Sequence, residues 1–351
     1  MAPLRYLTPF VFLALVPVGA WLGGAWTFLA AAATPLGLMG LDVALGKEGA
    51  GIPPAHGSSP RWFPRLYIVL QLAATAWAAA LVARGAITLL EEIGLILSIG
   101  VTTGVFGFVA AHEMIHSPDR NERALGLSLL GTVLYMHFRI AHVYGHHTRA
   151  ATVEDPASAR LGEGLYAFLP RTVGGQFREA WQFEAQRPRR TGRPVFSIEN
   201  RMLRYLTLEA LFLFAIALVS FRALLFVLAV APVSIALLET FNYVAHYGLS
   251  RRIAADGRLE RLGPQHSWNS GRRMNNAALF NMGRHSDHHR VMTRSYEELK
   301  PLPRAAELPS GYAAALLTAL IPSLWRRVMD PRARAAMQRE AAVDRALGIT
   351  R

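Results

Sequence analysis

The sequence predicts an all-α integral membrane protein with six transmembrane helices and a histidine-rich region on the cytoplasmic side. Three observations carry that expectation. The 351 residues are 52% hydrophobic and only 17% charged, more apolar than an ordinary soluble protein. Apolar tracts of spanning length recur along the chain. Nine of the twelve histidines fall in clusters beside those tracts. Cysteine is absent, which excludes disulfides, thiolate catalysis, Cys-ligated zinc and any Cys-held iron centre within the chain. A metal here must be held by His and carboxylate.

Leu7 to Gly24 and Ala25 to Val43 read as a first hairpin turning at Gly23 and Gly24. With only Arg5 before it and no small-residue cleavage site, the first helix is expected to be retained rather than removed as a signal peptide. The small side chains of Ala30 to Ala33 point to close helix approach, or else to room for an apolar channel. Lys47 to Arg65 is a loop with Pro53, Pro54, Pro60 and Pro64, and its His56 reads as a loop histidine. Tyr67 to Val82 and Ile87 to Ala111 form a second hairpin around Arg84 and Gly85. Glu91 and Glu92 sit in the first turns of the fourth helix, where the N-terminal dipole favours carboxylates.

Between the histidines at 112–116 and those at 142–147 lies one apolar segment, Leu125 to Ile140. A full crossing would place the two groups on opposite faces, so an interfacial or re-entrant helix is expected. Glu154 to Arg204 is soluble in character. Leu206 to Tyr247 is long enough for two spans with Arg222 at the turn, and brings His246 back to the starting side. From Ser250 the chain is polar and basic except for Tyr312 to Trp325, which is amphipathic and too short to span comfortably. Four segments follow: residues 1–116, four spans ending in the first His motif; 117–205, the interfacial helix, second motif and a basic stretch; 206–247, two spans; and 248–351, the C-terminal region with the third cluster.

That topology places both termini and every His cluster on one side. Only Arg84 and Arg222 fall opposite, so 37 − 2 = 35 Lys and Arg accompany the histidines. By the positive-inside rule this side is cytoplasmic, which places the chain as a multi-pass protein of the inner (cytoplasmic) membrane. The net charge of +13 is thereby accounted for without nucleic acid.

His112-Glu113-Met114-Ile115-His116 alone matches a zinc-protease signature. Here it is joined by His142, His146 and His147, by His246, and by His285, His288 and His289. The last three, at i, i+3 and i+4, are expected to present their nitrogens toward one point. A single zinc site takes three or four protein ligands, so nine imidazoles suggest two ions. Imidazole suits iron, zinc, copper or nickel; a site facing apolar helices argues for oxygen chemistry on an inert substrate, hence iron.

Four segments carry a resemblance: His112-Glu113-x-x-His116, His142-x-x-Gly145-His146-His147, Asn242-Tyr243-x-x-His246-Tyr247-Gly248-Leu249 and Arg284-His285-Ser286-Asp287-His288-His289. Flanking stretches add to it, at Glu154 to Arg160, His266 to Ser270 and Thr293 to Tyr296. Together they resemble the integral-membrane alkane monooxygenases, non-haem di-iron hydroxylases akin to membrane fatty-acid desaturases. The resemblance implies six spans, two irons held by histidine, O2 as co-substrate, terminal hydroxylation of medium- or long-chain n-alkanes to primary alcohols, and electrons from rubredoxin served by its reductase. Without cysteine that carrier must be a separate, acidic partner docking on the basic face. Alanines at 141 and 245 stand where the family often has Glu, which bears on substrate range; hydroxylation of aromatic methyl groups, as in xylene monooxygenases, and fatty-acyl desaturation are the alternatives. A metal transporter or sensor is disfavoured because the spans offer almost no polar path across the bilayer.

Three carboxylates are candidates for roles beside the ligands. Glu113 and Asp287 lie inside ligand motifs and are expected to bond ligand N–H groups. Glu239, seven residues before His246, is either functional or a polar contact between helices. Glu154 and Asp155 read equally as loop ion pairs with Arg149 or Arg160 and as groups at the metal. His137 and His266 read as structural.

Overall fold

Among the described residues, six helices are long and apolar enough to cross a membrane: Leu4–Leu22, Gly24–Leu45, Trp62–Ala83, Leu89–His116, Arg201–Val219 and Phe221–His246. They are the six spans expected from the sequence. The computed structural model describes residues 3–48, 62–190, 192–253 and 257–346; Pro53, Pro54, Pro60 and His56 lie outside the described residues.

The first hairpin pairs α1 (Thr8–Leu22) with α2 (Leu29–Leu45). The second pairs α3 (Trp62–Ala83) with α4 (Leu89–Thr102), which runs through a π-helical turn at Thr103–Gly107 into α5 (Phe108–His116). α4 starts where Thr88 and Glu91 form a reciprocal capping box, satisfying two otherwise orphaned donors. Glu91 also accepts from Gly24 N–H at 2.7 Å, and Glu92 pairs with Arg222 at 2.7 Å. The turns of all three hairpins are therefore tied together at one end, with both glutamates in structural roles.

α6 (Arg120–Thr132) packs on α5 and is capped by Asp119. At 13 residues it is about 20 Å long, short of the ~30 Å hydrocarbon core. The expected apolar segment to Ile140 is not one helix: the chain reverses at Leu134, where φ is +58°, and resumes as α7 (Phe138–Ile140). A π-helical turn, Ala141–His146, leads into α8 (His147–Arg149), and α9 (Leu165–Arg190) covers this region. α10 (Arg201–Val219) and α11 (Phe221–His246) are the third hairpin.

The C-terminal region contributes α12 (Arg273–Ala278), α13 (His285–Arg290), α14 (Tyr312–Ala319) and α15 (Pro322–Ala346). The amphipathic stretch expected from Tyr312 to Trp325 is broken between α14 and α15, with Pro322 opening the second helix, where its missing N–H costs nothing. A parallel pair, β1 (Trp268–Asn269) and β2 (Ala306–Glu307), closes the loop layer. Close approach of the spans comes from glycine as well as from the alanine run: a Cβ on Gly100 would lie 2.6 Å from Val233 Cγ1, so α4 and α11 meet there backbone to side chain. The alanine run itself packs on α4, where Ser98 Oγ accepts from Ala31 N–H at 3.2 Å.

Candidate metal centre

The ends of α5 and α11, the helix α13, the π-helical turn at Ala141–His146 and the first residue of α8 converge, and their nine histidines divide into two groups. His112, His116, His142, His147 and His288 form one; His146, His246, His285 and His289 form the other. In each group one ligand atom per residue lies within 4.8 Å of the rest. Helix geometry explains the division. On α13, His285 and His289 are four residues apart and share a face, whereas His288 is turned about 100° from its neighbour and joins the other group. This corrects the expectation that all three point to one place. In the second motif, the His147 N–H bonds back to the His142 carbonyl, a five-residue repeat characteristic of a π turn. That repeat puts His142 and His147 on one face and releases His146 to the second group.

Burial, reinforced by the neighbouring imidazoles, pushes His142, His147, His285, His288 and His289 well below the ordinary imidazole value. They are neutral at pH 7, the form that binds metal. Their Nε2 atoms face one another: His112 and His142 at 2.8 Å, His142 and His147 at 3.1 Å, His246 and His285 at 3.1 Å, His285 and His289 at 3.0 Å. Three mutually close nitrogens cannot all be satisfied by shared protons. Nitrogens bound about 2.1 Å from one ion and roughly at right angles would lie about 3.0 Å apart, so the donor set fits a metal ion in each group.

Surrounding groups fix the rings. His146 Nδ1 faces Asp155 Oδ2 at 2.8 Å, both side chains fully buried; Asp155 is itself held by the Ser158 hydroxyl at 2.6 Å and Ala157 N–H at 3.1 Å. The stretch from Asp155 to Ser158 thus holds the His146 ring. Arg149 pairs with Glu179, not with Asp155. Gly145 is needed there: a Cβ would fall 2.3 Å from Glu179 Oε2. His246 Nδ1 donates to the His266 carbonyl at 3.2 Å, while the His266 ring, pushed down to about 4 by burial, accepts from Gly263 N–H at 2.8 Å. His137 packs between Tyr135 and Phe177. Neither belongs to a ligand group.

The three candidate carboxylates have specific partners. Glu113 accepts from Tyr296 N–H at 3.1 Å. Asp287 accepts from Lys300 N–H at 2.9 Å and from the Arg294 guanidinium, so it ties α13 to the following loop; this differs from the expected bond to an imidazole. Glu239 accepts from Tyr135 at 2.9 Å, Thr172 at 2.8 Å and Asn242 at 3.2 Å, a polar contact between helices.

Sequence reasoning missed how α13 is held. Asn269 Oδ1 accepts from Ser286 N–H at 3.0 Å, its amide donates to Ser286 Oγ at 2.6 Å, and Ser267 Oγ meets Ser286 Oγ at 2.8 Å. Beyond the His segment, Arg284 is buried in an ion pair with Glu48 at 2.7 Å, and Glu48 also binds Arg5 at 2.8 Å.

A cavity of about 250 Å³ ends at this centre. His112, His142 and His285, from both groups, stand at one end, and aliphatic or aromatic side chains such as Val101, Val105, Phe108, Leu237 and Leu316 make most of the wall.

Residues 92–317, which contain all nine histidines, match the fatty acid desaturase family. The chain is 42% identical over 306 residues to alkane 1-monooxygenase 1 of Pseudomonas aeruginosa, covering 84% of this chain and 80% of the relative. The chain belongs to the alkane 1-monooxygenase branch of the fatty acid desaturase family. An alkane 1-monooxygenase of Acinetobacter baylyi is 41% identical over 267 residues, 76% of this chain and 65% of that protein. The hydroxylase component of a xylene/toluene monooxygenase from Pseudomonas putida is more distant, at 31% over 336 residues, 93% of this chain and 87% of the relative. Membership makes the chain an oxidoreductase.

Proposed function

We propose that this protein is a membrane di-iron monooxygenase that converts the terminal methyl of medium- and long-chain n-alkanes to primary alcohols with O2 and electrons from rubredoxin. The observation that carries the reading is the apolar cavity ending at His112, His142 and His285. His112, His116, His142, His147 and His288 would hold one iron, and His146, His246, His285 and His289 the other. Two irons so held supply the oxygen activation that an inert C–H bond requires.

The chain's own part is to bind, aim and keep dry. Val101 and His112 both line the cavity and are 112 − 101 = 11 residues apart on a continuous span, about 16 Å of helix. An unbranched chain entering from the lipid fits lengthwise along it, its end at the imidazoles. Thr34 and Thr240 spend their hydroxyls on the carbonyls of Ala30 and Ala236, which leaves Asp42, Asn242 and Asn275, beside the histidines, as the polar side chains of a mostly apolar wall. Asp155 orients His146, and the His266 carbonyl orients His246. With the histidine side cytoplasmic, the basic loops would receive an acidic electron carrier. Identity favours alkanes over aromatic methyl groups.

The test is metal content per chain together with the products from octane, hexadecane and xylene in the presence of rubredoxin and its reductase. Two irons per chain and 1-alkanols are expected. One zinc per chain with no O2 consumption would overturn the reading, and alkenes would move it to desaturation.

A further inference from the structure

A second cavity, of about 260 Å³, reaches the centre at the C-terminal end of α5. Its chemistry differs from that of the first: Glu113, His116, Ser117, Glu122, Thr293 and Ser295 are on its wall. The space far exceeds the ~10–15 Å³ that one water needs, and polar walls are what keep such a space wet.

Two side chains here point to a ligand. Ser295 Oγ is buried without a protein partner, and so are both ring nitrogens of His116. One His116 nitrogen belongs to the metal group, which leaves the other unanswered. A ligating imidazole ordinarily gives its outer N–H to a carboxylate, a carbonyl or water. His146 has Asp155 and His246 has a carbonyl; the outer nitrogens of His112, His142, His147, His285 and His289 are, like that of His116, without a protein partner, but of these six rings His116 alone lines the polar cavity. For His116, water in this cavity is the partner that fits.

The reaction needs such water, on the hydroxylase reading above. One C–H and the O–O bond break, one C–O bond forms, and O2 is reduced by two electrons from the carrier and by the hydrocarbon. Two protons enter per turnover, and the second oxygen leaves as water. The hydrocarbon cavity offers less to a proton: the hydroxyls along it, of Thr34, Thr240 and Tyr312, all donate to backbone carbonyls, and besides the histidines only Asp42, Asn242 and Asn275 add polar side chains to a wall that is mostly apolar.

We propose that the polar cavity is the solvent inlet of the metal centre: it holds water against His116, admits protons and releases product water, apart from the hydrocarbon. Two buried methionines report on it without turnover. Met114 lines the polar cavity and Met282 the apolar one, and they are 4% and 3% exposed. Brief X-ray radiolysis of the iron-loaded protein in nanodiscs, in ¹⁸O-labelled water, should oxidise Met114 several-fold faster than Met282. Thr293→Trp, at the exposed mouth, and Ser295→Val, deeper in, should remove that difference. In turnover both should lower kcat and enlarge the solvent isotope effect while leaving KM for the hydrocarbon unchanged. Equal labelling of the two methionines in the native protein would overturn the inlet, as would Met114 labelling that survives both substitutions. So would a rise in hydrocarbon KM with no isotope effect, which would assign the cavity to passage of hydrocarbon or alcohol. If the hydroxylase reading itself fails, turnover is lacking throughout, and the labelling still decides.

Discussion

Asp155 shows how one carboxylate can govern a candidate metal ligand it never replaces. It is 1% exposed and bonded to His146 at 2.8 Å, and a metal-bound imidazole is oriented and made more basic by such a partner. Asp155→Asn keeps the shape and removes the charge. Metal affinity should fall about 10- to 100-fold, read by competition with a chelator; an unchanged affinity would show that His146 is held by packing alone. The nine histidines were legible because imidazoles repeated at helical spacing at the ends of apolar spans have little use except to bind metal. Their division was not, since it depends on a π-helical turn and on which side of a six-residue helix each ring leaves. Asp155 stood evenly between two roles because sequence does not say that Arg149 is taken by Glu179.

Among the elements, α4 and α5 act as one rod that carries ligands at its end and the cavity along its side. The π-helical turn at Thr103–Gly107 joins them, and Gly104 and Val105 from it line the cavity. Changing side-chain volume on this rod should change substrate length without touching the metal. Val101→Trp is expected to lower the turnover of hexadecane relative to octane by at least about tenfold, since a blocked pocket discriminates by the methylenes it rejects. Direct competition between the two alkanes, with products separated by gas chromatography, measures it; an unchanged ratio would place the hydrocarbon elsewhere. The spans were readable from length and apolar run, and the expectation that the 120–140 segment makes no full crossing followed from requiring all the histidines on one side, in keeping with the 13 residues of α6. The break after Thr132 was not readable, because nothing in the residue type of Leu134 announces its positive φ; the split at Pro322 could have been read, since a proline marks the first turn of a helix.

The whole molecule is polarised. The far end carries hairpin turns with the Glu92–Arg222 pair, and the other end gathers most of the basic residues with the histidines. Steering of an acidic carrier by that face is screened over a Debye length of about 8 Å at physiological salt. On the proposed rubredoxin-dependent reading, KM for that carrier should therefore rise with added salt while KM for the hydrocarbon stays level. Turnover indifferent to ionic strength at limiting carrier would remove charge from the docking account.

The buried link from Arg5 through Glu48 to Arg284 joins the first residues of the chain to the last ligand segment, and it has a consequence for biosynthesis. A ribosome delivers His112 and His116 early and His285, His288 and His289 late. Until residue 289 has emerged, neither group has its full set of ligands, and Glu48 is without its deepest cation. A complete set of imidazoles in either group therefore forms only once that segment has been made, with Glu48 already in place to receive Arg284.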